Sequence, residues 1–365
     1  MITKYTNEAI ALLQRLIAAP SVSRDESTAA DILEEAMNAY GLNPQRHGNN
    51  IWALSPEWDD TLPITLLNAH IDTVKPVATW TRDPFTPAIE ECLNADSGAT
   101  EHRLYGLGSN DCGGGLMALL QVFRHLTSPE QLKKKTTNYI YLASCEEEVS
   151  GINGIRSVLP IFEEKGLTPA VAIVGEPTGM QPAIAERGLM VIDGVAHGKS
   201  GHAARNEGIN AIYEALDDLV FIRGYRFEME SELLGATKMQ CTVVNSGTQH
   251  NVVPDECKFI IDVRSNEHYT NEEIFEFLKT KLKSDISARS FHLHSSSIPK
   301  DHPLIQKCIA MGMTPFGSPT LSDQALMRFP SFKLGPGQSS RSHSANEYIC
   351  VEEIHDAISK YLQLL

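Results

Sequence analysis

Ile64-Thr65-Leu66-Leu67-Asn68-Ala69-His70-Ile71-Asp72 is the stretch that decides the fold. It opens as an apolar run of buried-strand length and ends on an imidazole and a carboxylate two positions apart. On an extended chain, residues i and i+2 face the same side, so His70 and Asp72 emerge together from the end of one strand. Similar apolar runs lie at 51–54, 139–143, 170–174 and 332–334, with helical patterns between them at 115–125 and 152–164. Strand–helix alternation with buried strands predicts an α/β fold, a layered domain with a mainly parallel central sheet. An opening helix carries Ile10, Leu13, Leu16 and Ile17 on one face, with Thr6 and Asn7 as cap candidates. A second helix spans about 26–40, and a last one 351–364.

The middle of the chain reads differently. Extended runs at 190–196, 239–244, 257–263 and 291–294 are interleaved with helices at 208–221 and 271–282. That order, β-α-β-β-α-β, predicts a ferredoxin-like α+β lid inserted into the first domain. The expected division is 1–181 with 297–365 for a catalytic domain, and 182–296 for the lid.

The bulk numbers agree with two domains and a large core: 365 residues, 42% hydrophobic and 21% charged. A net charge of -15 disfavours nucleic acid and anionic membranes as partners. Neither a signal-peptide core nor a membrane-length apolar run is visible. Seven cysteines, an odd number without a Cys-x-x-Cys pair, argue against a disulfide framework or a thiolate zinc site. They fit a reducing, cytoplasmic location.

Metal-type residues recur where buried strands end. The 139–143 run leads to Glu146-Glu147-Glu148, the 170–174 run to Gly175-Glu176-Pro177, and the 332–334 run to Gly335-Pro336-Gly337 and then His343. In open α/β sheets, ligands bind beyond the carboxyl ends of the strands. His70 beside Asp72 suits a zinc ligand steadied by an acid, although alone the pair is a weak signal and reads more readily as a satisfied surface histidine near a turn. Gly106 to Gly115 is glycine-rich and precedes a helix, but has neither a Gly-Lys-Ser/Thr nor a dinucleotide spacing. Asp111 on a tight turn, aimed at a cation, explains the stretch better. Three adjacent glutamates repel one another when buried, so they need water or a cation. Pro177 holds Glu176 extended.

Taken together, Asn68 to Thr73, Gly106 to Asp111, Glu146 to Glu148, Gly175 to Thr178, Ser200-Gly201-His202-Ala203, Asn251-Val252-Val253-Pro254 and Gly335-Pro336-Gly337 leading to His343 resemble one family. It is the zinc metallopeptidase family of acetylornithine deacetylases, succinyl-diaminopimelate desuccinylases, aminoacylases and glutamate carboxypeptidases. The resemblance implies two zinc ions, with cobalt as a substitute. Asp111 would bridge them, His70 and Glu176 would complete one site, and Glu148 and His343 the other. It makes Glu147 the general base and Asp72 the residue that orients His70. His202 and Asn251 would touch substrate, His202 across a homodimer interface formed by the lid, and Arg264 would meet a substrate carboxylate. The implied reaction is hydrolysis of an N-acyl amino acid, N-acetylornithine of arginine biosynthesis first. Acetylcitrulline, succinylornithine, succinylcitrulline and succinyl-diaminopimelate remain alternatives, as does a dipeptide. A non-enzymatic binding module would require a missing ligand or base, and none is missing. The chain departs from the family pattern at Gly113, where relatives are often basic, and at Glu146, where many have Asp.

Overall fold

The computed structural model describes residues 1–94, 98–205 and 207–365. The chain folds into two compact units. One comprises Met1–Ile184, Ile298–Phe316 and Ser322–Leu365, the other Ala185–Ser297 and Gly317–Leu321.

The first unit is built on strands Asn138–Ser144, Ile64–His70, Val171–Val174 and Ser331–Lys333, paired in that order and all parallel. The antiparallel strand Asn50–Leu54 extends the sheet beside Asn138–Ser144. Each of the four parallel strands is buried along its whole length, because both faces of the sheet are covered. Alternate side chains serve different cores. Leu67, Ala69, Tyr141, Ala143, Ile173 and Phe332 pack with helices Ile2–Ile17, Gly114–Leu126 and Val351–Leu364. Leu66, Ile140, Leu142, Ala172 and Val174 pack on the opposite side with Val158 and Phe162 of helix Ile155–Glu164. Parallel pairing brings His70, Ser144, Val174 and Lys333 to one edge of the sheet, so the loops after them start side by side.

One local expectation is corrected and one element is new. The first helix starts at Ile2, ahead of the proposed caps; the Thr6 hydroxyl donates to the Ile2 carbonyl at 3.1 Å, inside the helix. A second, antiparallel sheet was not anticipated: Ala88–Leu93, Thr100–Tyr105 and Tyr348–Cys350 pair with the middle strand central. Leu104 and Ile349 of this sheet are buried, while the Tyr105 and Tyr348 rings lie under the guanidinium groups of Arg82, Arg103 and Arg341.

The second unit has strands Met190–His197, Lys238–Ser246, Glu256–Arg264 and Asp285–Ala288, with helices Ala211–Gly224 and Asn271–Lys281. The sheet is antiparallel, ordered Lys238–Ser246, Glu256–Arg264, Met190–His197, Asp285–Ala288, which is the ferredoxin-like arrangement. Burial alternates along Met190–His197, the pattern of a sheet with one face on its helices. The last strand lies at 285–288, not at 291–294. The apolar character of the later stretch has another use: Phe291 packs edge-on against Phe275, ring centres 5.3 Å apart. Among the described residues, no helix is long and apolar enough to cross a membrane.

Candidate metal centre

The loops beyond the parallel strands converge. His70 ends its strand with 2% of its surface exposed. Its Nδ1 is 2.9 Å from the Asp72 main-chain carbonyl, which can only accept. Nδ1 therefore carries a proton, and Nε2 points the other way. Around Nε2 lie Asp111 Oδ1 at 3.3 Å, Glu176 Oε1 at 3.7 Å and Glu147 Oε2 at 3.9 Å. The other Asp111 oxygen, Oδ2, is 3.5 Å from His343 Nε2, and Glu148 Oε2 is 2.9 Å from the same nitrogen. Asp111 thus stands between two groups of donors. Ligand atoms of His70, Asp111 and Glu148 lie within 4.8 Å of one another, and so do those of His70, Cys112 and Glu176.

Asp72 does more than steady His70. Its carboxylate accepts the main-chain N–H groups of Glu147 at 3.0 Å and Glu148 at 3.2 Å, and the Ser23 hydroxyl at 2.7 Å. One buried acid thereby ties the end of one strand to the glutamate turn beyond its neighbour. Glu146 takes a different course. It sits in the left-handed region at φ 54° and accepts the Asn153 amide at 2.7 Å, bracing the turn.

The glycine-rich loop is set by close packing. A Cβ at Gly115 would strike the Gly175 carbonyl, so glycine lets the helix approach the residue before Glu176. A Cβ at Gly113 would strike the Gly108 carbonyl oxygen and Leu13. No side chain, basic or otherwise, fits there without moving the loop.

Burial pushes Glu176 up to about 8, helped by Asp111. It lifts Glu147 well above the carboxylate range, where His70 opposes it and Glu176, Asp323 and Glu148 assist. For His70, burial works downward but is outweighed by Cys112, Asp111 and Asp72, which leave it well above its ordinary value. The hydrogen bond to Glu148 raises His343 to about 9.

The profile of Peptidase family M20/M25/M40 matches residues 66–365. The chain belongs to this family. The chain is 26% identical over 375 residues to succinyl-diaminopimelate desuccinylase of Corynebacterium glutamicum, covering 98% of this chain and 96% of that one. With acetylornithine deacetylase of Klebsiella pneumoniae it shares 26% identity over 376 residues, covering 93% and 92%. Among solved structures, an M20 metallo-carboxypeptidase from Sulfolobus solfataricus superposes with TM-score 0.70 at 18% identity, covering 98% of both chains. A dinuclear metal-binding M20 peptidase from Bacillus subtilis gives 0.72 at 15% identity, covering 99% and 98%. At those identities the likeness is one of fold.

This M20 hydrolase therefore comes from a metal-dependent family, typically dinuclear, and its side chains fit such a centre. Glu176 Oε1 is buried without a hydrogen-bond partner, an arrangement that is costly unless a cation completes it. Crowded acids that burial drives toward their neutral forms call for positive charge between them. Two imidazoles with three carboxylates is a donor set zinc accepts.

His202, Asn251 and Arg264 belong to the second unit, and the cluster residues to the first. His202 is exposed on the short strand Gly201–His202, which pairs with Val252–Val253. The Ala203 N–H donates to the Asn251 carbonyl at 3.1 Å, so His202 and Asn251 share one surface. The Arg264 guanidinium forks onto Asp262 at 2.8 and 3.0 Å, which leaves it less free for a substrate carboxylate.

Sequence reasoning passed over two buried acids. Asp323 accepts the Ser144 hydroxyl at 2.5 Å, and Glu347 accepts main-chain N–H groups of the Asp111 loop. Neither follows an apolar strand, so no local pattern marked them.

Proposed function

We propose that this M20 hydrolase cleaves the amide bond of an N-acyl amino acid, with N-acetylornithine as the first substrate. The observation that carries the reading is Asp111, whose two oxygens face His70 and His343 from opposite sides. Divalent ions, zinc or cobalt, would be held by His70, Asp111 and Glu176 on one side and by His343, Asp111 and Glu148 on the other. When bound, two such cations supply Lewis acidity toward the amide carbonyl and the attacking water.

The rest falls to the chain. Glu147 is fixed at its main chain by Asp72, and its carboxylate lies 3.9 Å from His70 Nε2, beside the cluster without being needed as a ligand. Positive charge nearby favours its ionised form, so it can take a proton from water and deliver it to the leaving amine. His202 and Asn251 would meet substrate, His202 across a homodimer interface as a donor toward the oxygen that gains charge.

A succinyl substrate is the second reading, and one arginine favours it. Arg187 is committed to the carbonyls of Leu234, Ala236 and Arg264, and Arg341 to Glu353 and the Tyr348 ring. Arg205 is exposed on the Ala203–Arg205 turn next to His202, where a terminal carboxylate could meet it.

Rates on acetylornithine, acetylcitrulline, succinylornithine, succinyl-diaminopimelate and simple dipeptides test both readings. Acyl amino acids should be turned over, with activity lost on chelation and regained with zinc or cobalt. Preference for dipeptides over every acyl amino acid would reject the deacylase reading.

A further inference from the structure

We propose that Glu347 is a positioning residue that joins the two ligand-bearing loops and so sets how tightly the centre binds metal. Resting on the metal reading above, the inference concerns a residue outside the ligand set.

Glu347 is 2% exposed, four residues beyond His343. Its Oε1 accepts the N–H groups of Asn110 at 2.8 Å and Asp111 at 2.9 Å, and its Oε2 that of Gly108 at 3.2 Å. Its own carbonyl accepts the Gly106 N–H at 3.0 Å. Four main-chain donors of one short loop therefore end on one residue. Gly108, at φ 76°, allows the turn that points them inward. A carboxylate suits this place, since several N–H groups converging on an ionised acceptor make stronger bonds than neutral pairs.

The link is doubled by Asn110. Its Nδ2 donates to the Gln338 carbonyl at 3.0 Å and the Ser342 hydroxyl at 3.3 Å, and its Oδ1 accepts the Gln338 N–H at 3.0 Å. One loop carries Asp111 and the other carries His343. Their spacing decides whether Asp111 Oδ2 stays near His343 while Oδ1 stays near His70. Fixing the main chain of Asp111 thus fixes its reach in both directions, as residues behind metal ligands commonly do.

The test is metal binding by stripped protein, read by calorimetric titration with Co2+ and by the visible absorption of the cobalt form. Glu347→Gln keeps the side-chain size but turns an amide N–H toward one of the donors. It should weaken Co2+ affinity by about 10- to 100-fold and alter the cobalt spectrum. Circular dichroism of the stripped variant should match that of the wild type. Wild-type affinity and spectrum in Glu347→Gln would overturn the proposal. Asn110→Ala guards against a variant that does not fold: it leaves the carboxylate in place and removes the second link. Weakened Co2+ binding there supports the joined-loop reading, and unchanged binding refutes it. Wild-type protein that takes up no Co2+ would instead refute the metal reading itself.

Discussion

Glu147 and Glu148 are neighbours whose side chains do different work. Both main-chain N–H groups are held by Asp72, yet Glu148 Oε2 lies 2.9 Å from His343 Nε2 while Glu147 Oε2 lies 3.9 Å from His70 Nε2. A base can be removed without dismantling a metal site, whereas a ligand cannot. Glu147→Gln should therefore lower kcat by about 100- to 10,000-fold, the usual worth of a positioned general base. Metal content by atomic absorption should stay at the wild-type level. Turnover near wild type would remove Glu147 from the role. The sequence made this cluster legible because His70, Glu147, Glu148, Glu176 and His343 come after apolar runs whose ends can be seen, and Asp111 lies on a glycine-rich turn. Glu347, Asp323 and Ser23 were illegible for the opposite reason: their partners are main-chain N–H groups and hydroxyls remote in sequence. Cys112 is a buried, free thiol. Its Sγ does accept the His70 N–H at 3.2 Å, but it also lies among the potential ligand atoms of His70 and Glu176.

Elements were read most surely where burial imposes a period. The parallel strands announced themselves as continuous apolar runs, since both faces are covered. Asp285–Ala288 did not, because an edge strand of four residues with one half-buried face carries little apolar signal. Helix Ala211–Gly224 shows what a period leaves over. Ala211, Ala215 and Ile222 turn inward, while Ile212, Tyr213, Leu216 and Val220 are exposed. On the edge strand Lys238–Ser246, Val243 and Val244 are exposed as well. An apolar helix stripe near an unpaired strand edge is a surface that another chain can cover. We propose that a second copy covers it, as the family resemblance implies for this part of the chain. Wild-type protein should sediment as a dimer. Leu216→Glu combined with Val220→Glu should sediment as a monomer with an unchanged circular dichroism spectrum. A monomeric wild type at assay concentration, fully active, would reject the pairing.

At the scale of the whole molecule, the metal centre couples stability to pH. Burial raises Glu176 to about 8 and Asp323 to about 6, and lifts Glu147 as well. Unfolded carboxyl groups titrate near 4. The stripped folded chain therefore keeps protons that the unfolded chain has released, and its stability falls as pH rises from about 4 through about 8. The two histidines act in the same direction. His70 and His343 are raised in the folded chain, so their contribution is complete below about 6.5 and is lost as pH climbs through their folded values. Asp72 and Asp111 are lowered, and their contribution is lost only on acidification. Stripped protein should thus be most stable in mildly acidic solution. Metal reverses the trend, because its ligands must be deprotonated to bind. At a thousandfold excess over Kd, a cation that binds only the folded chain adds about 4 kcal/mol. Melting curves with and without chelator should therefore separate little near pH 5.5 and widely near pH 8.5, since proton competition for the ligands is strongest at the lower value. A gap that stays constant or narrows with rising pH would mean that these acids and imidazoles do not share a cation.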